Sequence, residues 1–185
     1  MSDGFEVREK SYYRHLKKIL NEGRTLPTLS QTIVDAPFAD PLAATYLELG
    51  IVVFLKVDKS GKYINRIALS NTIHAADAVK TSEKQFTEII IPLSDKDNII
   101  AKAINTGSMQ RTEDWKDLFV PALNPESARF NQASAGIACS IVQPIDDSAR
   151  GAALIFSFFQ HPKHIKRTEN FTAAYAALVG EALSL

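Results

Sequence analysis

The segment NIIAKAINTGSMQRTEDW, residues 98–115, decides the fold through its position between strand-like segments. Its first part predicts an amphipathic helix, because apolar residues recur on one face at Ile99, Ile100, Ala103 and Ile104. Thr106-Gly107 ends that helix, since glycine readily adopts the left-handed conformation that follows a last helical turn. The polar residues after it predict a short edge strand at Ser108–Arg111.

Three strands are predicted before this helix. Ile51–Val57 is a β-branched apolar run that is typical of a buried strand, and Asp58–Gly61 has the residues of a tight turn. Tyr63–Leu69 then completes a hairpin. Phe86–Ile91 is the third predicted strand, and Pro92-Leu93 ends it.

Capping residues and apolar runs predict the elements that follow. Ser94, with an acidic residue three positions later, predicts the start of the central helix. Asn124-Pro125 predicts another helix start, because Asn caps free amides and Pro fits the first helical position. Ala135–Val142 and Ala152–Phe159 are predicted strands, joined by the turn-rich residues 144–151.

The last predicted strand is apolar on both of its faces. Leu154 and Phe156 point one way, and Ile155 and Phe159 point the other way. A sheet of such strands needs cover on both sides, and the hairpins indicate mainly antiparallel pairing. We therefore predict an α+β fold with a central, mainly antiparallel sheet of about five to six strands and helices on both faces.

Helices are also predicted near both ends of the chain. Phe5–Leu20 has approximate helical spacing, and Thr168–Leu183 has an apolar stripe of Phe171, Tyr175, Leu178 and Ala182. Asp40-Pro41 predicts the start of a helix that stops at Gly50. Because 185 residues suit one domain with a modest extra segment, we place an N-terminal helical segment and linker at residues 1–34 and the main domain at 35–185.

The composition limits the kinds of partner and location. The 21 basic and 21 acidic side chains cancel, which gives no electrostatic attraction to nucleic acid or anionic lipid. The longest apolar stretches, Gly50–Leu55 and Gly151–Phe159, are far shorter than the roughly 20 residues that span a bilayer. The single cysteine, Cys139, cannot form an internal disulfide, which is typical of a reducing setting. We predict a cytoplasmic protein with no nucleic-acid partner and no membrane span in this chain.

The order of elements from Pro41 to Leu185 resembles the GAF domain family, which consists of small ligand-sensing modules of signalling proteins. The features that carry the resemblance are the strand pair Ile51–Leu69, the run Glu88–Leu93 leading into a helix that ends in Thr106-Gly107, the strands Ile137–Ile145 and Gly151–Phe159, and a final helix after Arg167–Phe171. A PAS-like sensor domain fits the same order of elements and stays the alternative.

The resemblance implies a pocket between one sheet face and the loops and short helices of residues 71–130, with terminal helices on the other face. The candidate ligand-binding residues are aromatic and polar side chains in and beside that region: Asn71, Thr72, His74, Trp115, Phe119, Phe130, Asn131 and Ser140. An apolar cavity with few polar anchors is the usual form of a small-molecule site. The alternative is that these aromatic residues only fill the core. The sequence identifies neither the ligand nor a cofactor.

No catalytic residue and no metal site are predicted. One enzyme class related to the GAF family reduces free methionine sulfoxide with several cysteines, whereas Cys139 lies mid-strand and has no resolving thiol. The motifs of the bilin-binding and cyclic-nucleotide-binding members are missing. His161 and His164 are typical of loop residues, and the pairs Glu113-Asp114 and Asp146-Asp147 are typical of solvated turns.

We predict a non-enzymatic sensory or regulatory domain of signal transduction that binds a small ligand. A ligand that binds one state of the pocket better than another shifts the populations, and the terminal helices transmit the shift. The helices Phe5–Leu20 and Thr168–Leu183 are also predicted to pair in a homodimer, and an output domain is expected where the chain is part of a larger sensor. Two alternatives stay open: a dimerisation module without a ligand, and a small enzyme on the same fold that uses His74.

Overall fold

The computed structural model describes residues 3–23, 28–145 and 151–184 of the protein. The strands are β1 (Leu49–Val57), β2 (Tyr63–Leu69), β3 (Ile91–Pro92), β4 (Gln110–Thr112), β5 (Cys139–Pro144) and β6 (Ala152–Phe158). They form one six-stranded sheet in the order β3-β2-β1-β6-β5-β4, and its neighbouring strands pair antiparallel. Helices cover both faces, so the predicted α+β architecture is confirmed.

The helices are α1 (Asp3–Glu22), α2 (Thr28–Asp35), α3 (Leu42–Thr45), α4 (Ile73–Thr81), α5 (Ile99–Thr106), α6 (Lys116–Phe119), α7 (Pro125–Ala135) and α8 (Ile165–Leu183). Short 3-10 turns lie at Ala36–Ala39 and Phe86–Glu88. Gly107 follows α5 with a φ of 65°, and the Asn124 side chain caps α7. The predicted helix stop at Gly107 and the start at Asn124-Pro125 are therefore confirmed.

One face of the sheet packs against α1, α2 and α8. We call the apolar cluster between them the first core, and its fully buried side chains include Leu16, Ile33, Phe156, Phe171 and Tyr175. The side chains of α1 and α2 are thus part of the same core as the sheet. The division of the chain at residue 34 stays a prediction.

The helices α1 and α8 run in the same general direction along this face. The rings of Tyr12 and Phe171 stack with centroids 6.0 Å apart. Further along both helices, Nζ of Lys17 lies 3.0 Å from a carboxylate oxygen of Glu181. Contacts that advance together in residue number indicate a parallel pair.

Tyr175 connects α8 to α2 through the first core. Its hydroxyl donates a 2.6 Å hydrogen bond to the carbonyl oxygen of Ile33, and burial raises the pKa of this phenol well above its ordinary value. We expect Tyr175→Phe to lower the free energy of unfolding by about 1–2 kcal/mol, because a buried carbonyl loses its donor. Chemical denaturation measures the loss, with Tyr63→Phe on the exposed part of β2 as the control. Equal stability of the two variants would contradict the expectation.

The other face of the sheet packs against α4, α5, α6 and α7. We call this cluster the second core, and it includes Ile51, Val53, Ile100, Leu118 and Ile155. The predicted alternation along β6 is confirmed, since Leu154 and Phe156 lie in the first core while Ile155 lies in the second and Phe159 packs against it.

A bulge in β2 interrupts the alternation of side chains on that strand. The pairing of β2 with β1 skips Ile67, which is the extra residue. As a result Ala68 lies in the first core, whereas Arg66 and Leu69 are both on the second-core face. Without the bulge, two residues three positions apart would lie on opposite faces. Bulges commonly redirect side chains next to functional sites.

Two predicted elements on the second-core face differ from the structure. Phe86–Ile91 is not a strand, because the Glu88 carboxylate accepts a 2.9 Å hydrogen bond from the amide of Gln85 and closes a 3-10 turn. Only Ile91–Pro92 pairs with β2, as the short strand β3. The helix α5 starts after Asn98 and not at Ser94, because the Asn98 side chain accepts from two free amides of the first turn.

Two further boundaries also differ. The helix predicted from Asp40-Pro41 to Gly50 is only the single turn α3, since Glu48 has a φ of 57° and β1 already begins at Leu49. The strand predicted from Ala135 begins at Cys139, because α7 continues through Ala135 and is ended by Gly136, whose φ is 67°.

Candidate functional site

A cavity lies in the second core, between the sheet and the segment from α4 to the 3-10 turn at Phe86–Glu88. Its walls are mostly apolar, and the strands contribute Ile51, Val53, Leu69 and Ile155. The free volume is about 30 Å³, which is room for one or two waters. Any larger occupant requires the walls to move.

Arg66 is the charged group inside this cavity. Its guanidinium carbon lies 4.1 Å from the ring centre of Phe86 and 5.2 Å from that of Phe119. The two aromatic rings hold the cation in place without neutralising it. Lys84 also lines the cavity at its exposed rim, and among the described residues no carboxylate lines it.

Two buried polar side-chain atoms in residues 3–23, 28–145 and 151–184 have no hydrogen-bond partner, and both belong to the cavity wall. They are Nε of Arg66 and Oγ of Ser82. Burial lowers the pKa of Arg66 to about 9, so the guanidinium is charged at neutral pH. Because native proteins pair nearly all such buried groups, the cavity wall has hydrogen-bonding capacity that the surrounding protein does not use.

Trp115 connects the cavity to the sheet by hydrogen bonds. Its indole Nε1 donates to Oγ of Ser140 over 3.0 Å, and that hydroxyl lies 2.7 Å from Oγ of Ser157. Its backbone amide donates to a side-chain oxygen of Gln132 in α7. Trp115 and Ser157 line the cavity, whereas Ser140 lies one hydrogen bond behind the wall.

Phe119 and Asn131 are the other predicted residues that line the cavity. The ring of Phe119 packs edge-on against Trp115, with centroids 5.3 Å apart. The Asn131 side chain accepts a 3.2 Å hydrogen bond from the Thr81 hydroxyl. The structure therefore brings these residues together, and their role in binding a ligand stays a prediction.

Asn71 and Thr72 lie in a separate open groove of about 620 Å³, which we call the edge groove. It is lined by Gln31, Asp35, residues 69–72, Ala75, Ala76, Val79 and Lys80. The amide of Asn71 donates to the Asp35 carboxylate, and the Thr72 hydroxyl donates to the carbonyl of Gly50. Leu69 and Val79 line both the edge groove and the cavity, so they form the wall between the two.

His74 and Phe130 lie away from the cavity wall. Nδ1 of His74 is 2.6 Å from the carbonyl oxygen of Ala135, and its ring stacks on Phe159 with centroids 5.1 Å apart. His74 thus ties α4 to the end of α7. The Phe130 side chain is 62% exposed on α7, so the structure does not group it with Trp115 and Phe119.

Other chemically notable groups are dispersed. Cys139 is buried in the first core, on the sheet face opposite the cavity, and burial raises the pKa of its thiol. In the Glu113-Asp114 pair, Asp114 forms an ion pair with Arg129, and Glu113 lies 3.6 Å from His161. Within the described ranges no group of three or more His, Cys, Asp or Glu side chains is placed to hold a metal ion. Asp146-Asp147 lies outside the described residues.

Comparison with protein-family models and with curated proteins found no match. Comparison with solved structures found a shared fold. The GAF domain of a phosphoenolpyruvate-protein phosphotransferase from Acinetobacter matches with a TM-score of 0.63 at 10% identity, over 100% of this chain and 95% of that chain. A methyl-accepting chemotaxis protein, residues 122 to 287, matches with a TM-score of 0.57 at 11% identity, over 94% of this chain and 96% of that chain.

Enzymes share this fold as well. A free methionine-R-sulfoxide reductase from Neisseria meningitidis in complex with its substrate matches with a TM-score of 0.59 at 13% identity, over 95% of this chain and 89% of that chain. At such identities the likeness establishes the fold alone. The chain therefore has a GAF-like α+β fold, as its order of elements predicted. None of the helices in its described ranges combines the length and the apolar character needed to cross a bilayer.

Proposed function

We propose that this chain is a non-enzymatic sensory or regulatory domain of cytoplasmic signal transduction, and that the cavity of the second core is its ligand site. One observation supports this most directly. Both buried polar side-chain atoms without a partner in the described residues, on Arg66 and Ser82, belong to the wall of this one mostly apolar cavity. A small-molecule site has this composition of apolar walls with a few convergent polar groups.

The structure corresponds to a closed state of the proposed site. A free volume of about 30 Å³ is too small for a metabolite, so binding requires an open state in which a wall has moved. Val79 is 47% exposed and, with Leu69, separates the cavity from the edge groove. Outward movement of Val79 would join the two spaces and bring Asn71 and Thr72 into the site. A ligand that binds only the open state then shifts the population toward it.

The hydrogen bonds of Trp115 could transmit the shift between closed and open states to the sheet face that packs against the terminal helices. Ser140 and Ser157 lie on β5 and β6, and these strands carry Ile141 and Phe156 on the side that packs against the terminal helices. A change in how Trp115 sits against Ser140 therefore acts on strands that also support α8.

Ala78→Leu tests the site by filling it. Ala78 lines the cavity from α4, and the larger side chain is expected to cost about 1–3 kcal/mol of stability through overpacking. A library of metabolites would be screened by thermal shift and by the emission of Trp115, the single tryptophan of the chain. We expect compounds that stabilise the native chain and have no effect on Ala78→Leu.

Ala133→Leu is the matched control, because Ala133 is exposed on α7. This variant should keep the response to every compound. No stabilising compound at all, or compounds that act equally on Ala78→Leu, would overturn the proposed site.

The absence of catalytic residues stays part of the proposal. The methionine sulfoxide reductases share the fold, and related chemistry in this chain would depend on Cys139. That thiol is the only cysteine, lies on the sheet face opposite the cavity, and is kept protonated by a pKa that burial raises. His74 is held by Ala135 and Phe159 at the far end of α4.

The homodimer through the terminal helices also stays a prediction. The apolar side chains Leu16, Tyr175 and Val179 already pack into the first core of their own chain. A dimer would therefore use the outward faces of α1 and α8, and the middle of the α8 face carries the exposed residues Ala173 and Ala177. Sedimentation equilibrium at high protein concentration tests it, and a monomer there would remove the homodimer.

A further inference from the structure

Arg66 points to the chemical class of the ligand. Its guanidinium lines the cavity, and it forms no ion pair with any residue in the described ranges. Nε is buried and without a hydrogen-bond partner. A charged group placed in such surroundings is costly unless an opposite charge joins it. The missing counter-charge is an anion.

The guanidinium is already positioned for an incoming partner. Phe86 and Phe119 lie at 4.1 and 5.2 Å from its central carbon, so stacking fixes the plane of the group. A planar guanidinium with free N–H donors matches a carboxylate, which it binds through two parallel hydrogen bonds. The Ser82 hydroxyl, also buried and unpaired on the same wall, supplies a further donor.

The charge and the lining of the cavity further restrict the chemical class of the ligand. Arg66 is the only cation among the described residues that lies inside the cavity, since Lys84 is at the exposed rim. A single positive charge there balances a monoanion. The remaining walls are apolar or aromatic, including Ile51, Ile155 and Trp115. An inorganic dianion would leave these walls without a partner.

We propose that the cavity takes a small monocarboxylate with an apolar body, whose carboxylate pairs with Arg66 and whose body packs against the apolar walls. This inference rests on the proposed function, namely that the cavity is a ligand site. In the bound state the Ser82 hydroxyl donates to the same carboxylate, and Phe86 and Phe119 keep the guanidinium aligned.

The test compares carboxylates with neutral molecules of nearly the same shape. Phenylacetate and isovalerate are titrated against phenylacetamide and isovaleramide at constant ionic strength, with Trp115 emission and the thermal midpoint as readouts. The native chain should bind each carboxylate about tenfold or more tightly than its amide, as expected for a charge-assisted pair. Arg66→Met and Arg66→Gln should abolish that preference.

Lys84→Met is the matched control and should retain the preference, because Lys84 is at the rim. Loss of the preference in Lys84→Met but not in Arg66→Met would assign the anion to the surface and overturn the proposal. If the amides bind as tightly as the carboxylates and Ala78→Leu blocks the binding of both, the proposed preference for a monocarboxylate is overturned. The proposal that the cavity is a ligand site would stand. No response to any of the four probes overturns the monocarboxylate, and the metabolite screen then decides the ligand site independently.

Discussion

Arg66→Met should make the protein more stable while removing its response to carboxylates. Arg66 is a partly buried cation with a buried, unpaired Nε and no acidic partner among the described residues. Methionine is unbranched, reaches about as far as the Nε position of arginine, and needs no counter-charge. The loss of stacking on Phe86 and Phe119 offsets part of the gain. We expect a net increase of about 1 kcal/mol, or about 2–4 °C in thermal midpoint.

The pH dependence of the stability difference between Arg66→Met and the native chain gives an independent check. Burial lowers the pKa of Arg66 in the folded chain to about 9, below its value in the unfolded chain. The unfolded state therefore binds more protons than the folded state above about pH 9, and the stability of the native chain rises relative to the variant there. The gain in stability of Arg66→Met over the native chain should be largest at pH 7 and should decrease above pH 9. A variant less stable than the native chain at pH 7 would contradict the cost assigned to the unpaired cation.

Asn98→Ala should cause the largest loss of stability among the substitutions considered. Asn98 is 2% exposed, and both the oxygen and the nitrogen of its side-chain amide form hydrogen bonds. The side-chain oxygen accepts from the amides of Ile100 and Ala101 at the start of α5, and Nδ2 donates to the carbonyls of Leu118 and Val120 at 2.7 and 2.9 Å. Removing a cap and two buried donors together should cost about 3 kcal/mol, measured by chemical denaturation.

Two further variants separate the roles of Asn98. Asn124→Ala removes a cap that has one hydrogen bond, to the amide of Ser127, and should cost about 1 kcal/mol. Asn98→Asp keeps the capping oxygen but turns a carboxylate toward two carbonyl oxygens, so it should stay destabilised by about 2 kcal/mol or more. Equal losses for Asn98→Ala and Asn124→Ala would show that the bonds to Leu118 and Val120 contribute nothing.

The parts of the fold that the sequence predicts well are those decided by local chemistry. Ile51–Val57 is β-branched and apolar, Tyr63–Leu69 follows it after the turn residues Asp58–Gly61, and both segments fall within strands. Gly107 and Asn124-Pro125 mark helix ends because their conformations are set by single residues. The strand prediction for Phe86–Ile91 is wrong, because the backbone amide of Gln85 donates a hydrogen bond to the Glu88 carboxylate and a 3-10 turn forms instead.

The candidate site depends on features that local patterns do not carry. Aromatic and polar residues in an irregular region predict a pocket, and Trp115, Phe119 and Asn131 line one cavity. Local patterns do not single out Arg66, because they place it on one face of β2 but do not show that the distant residues Phe86 and Phe119 enclose its guanidinium. Sequence position does not show that the side of α7 that carries Phe130 faces outward.

The parallel directions of α1 and α8 determine where further segments of a longer chain would be attached to the domain. The helix α1 has 20 residues and is therefore about 30 Å long. A segment joined ahead of α1 and another joined after α8 would leave from opposite ends of this helical layer. The domain would then lie between the two attached segments, with one at each end of the helical layer. A tilt of α8 against α1 would change the spacing of the two attachment points directly.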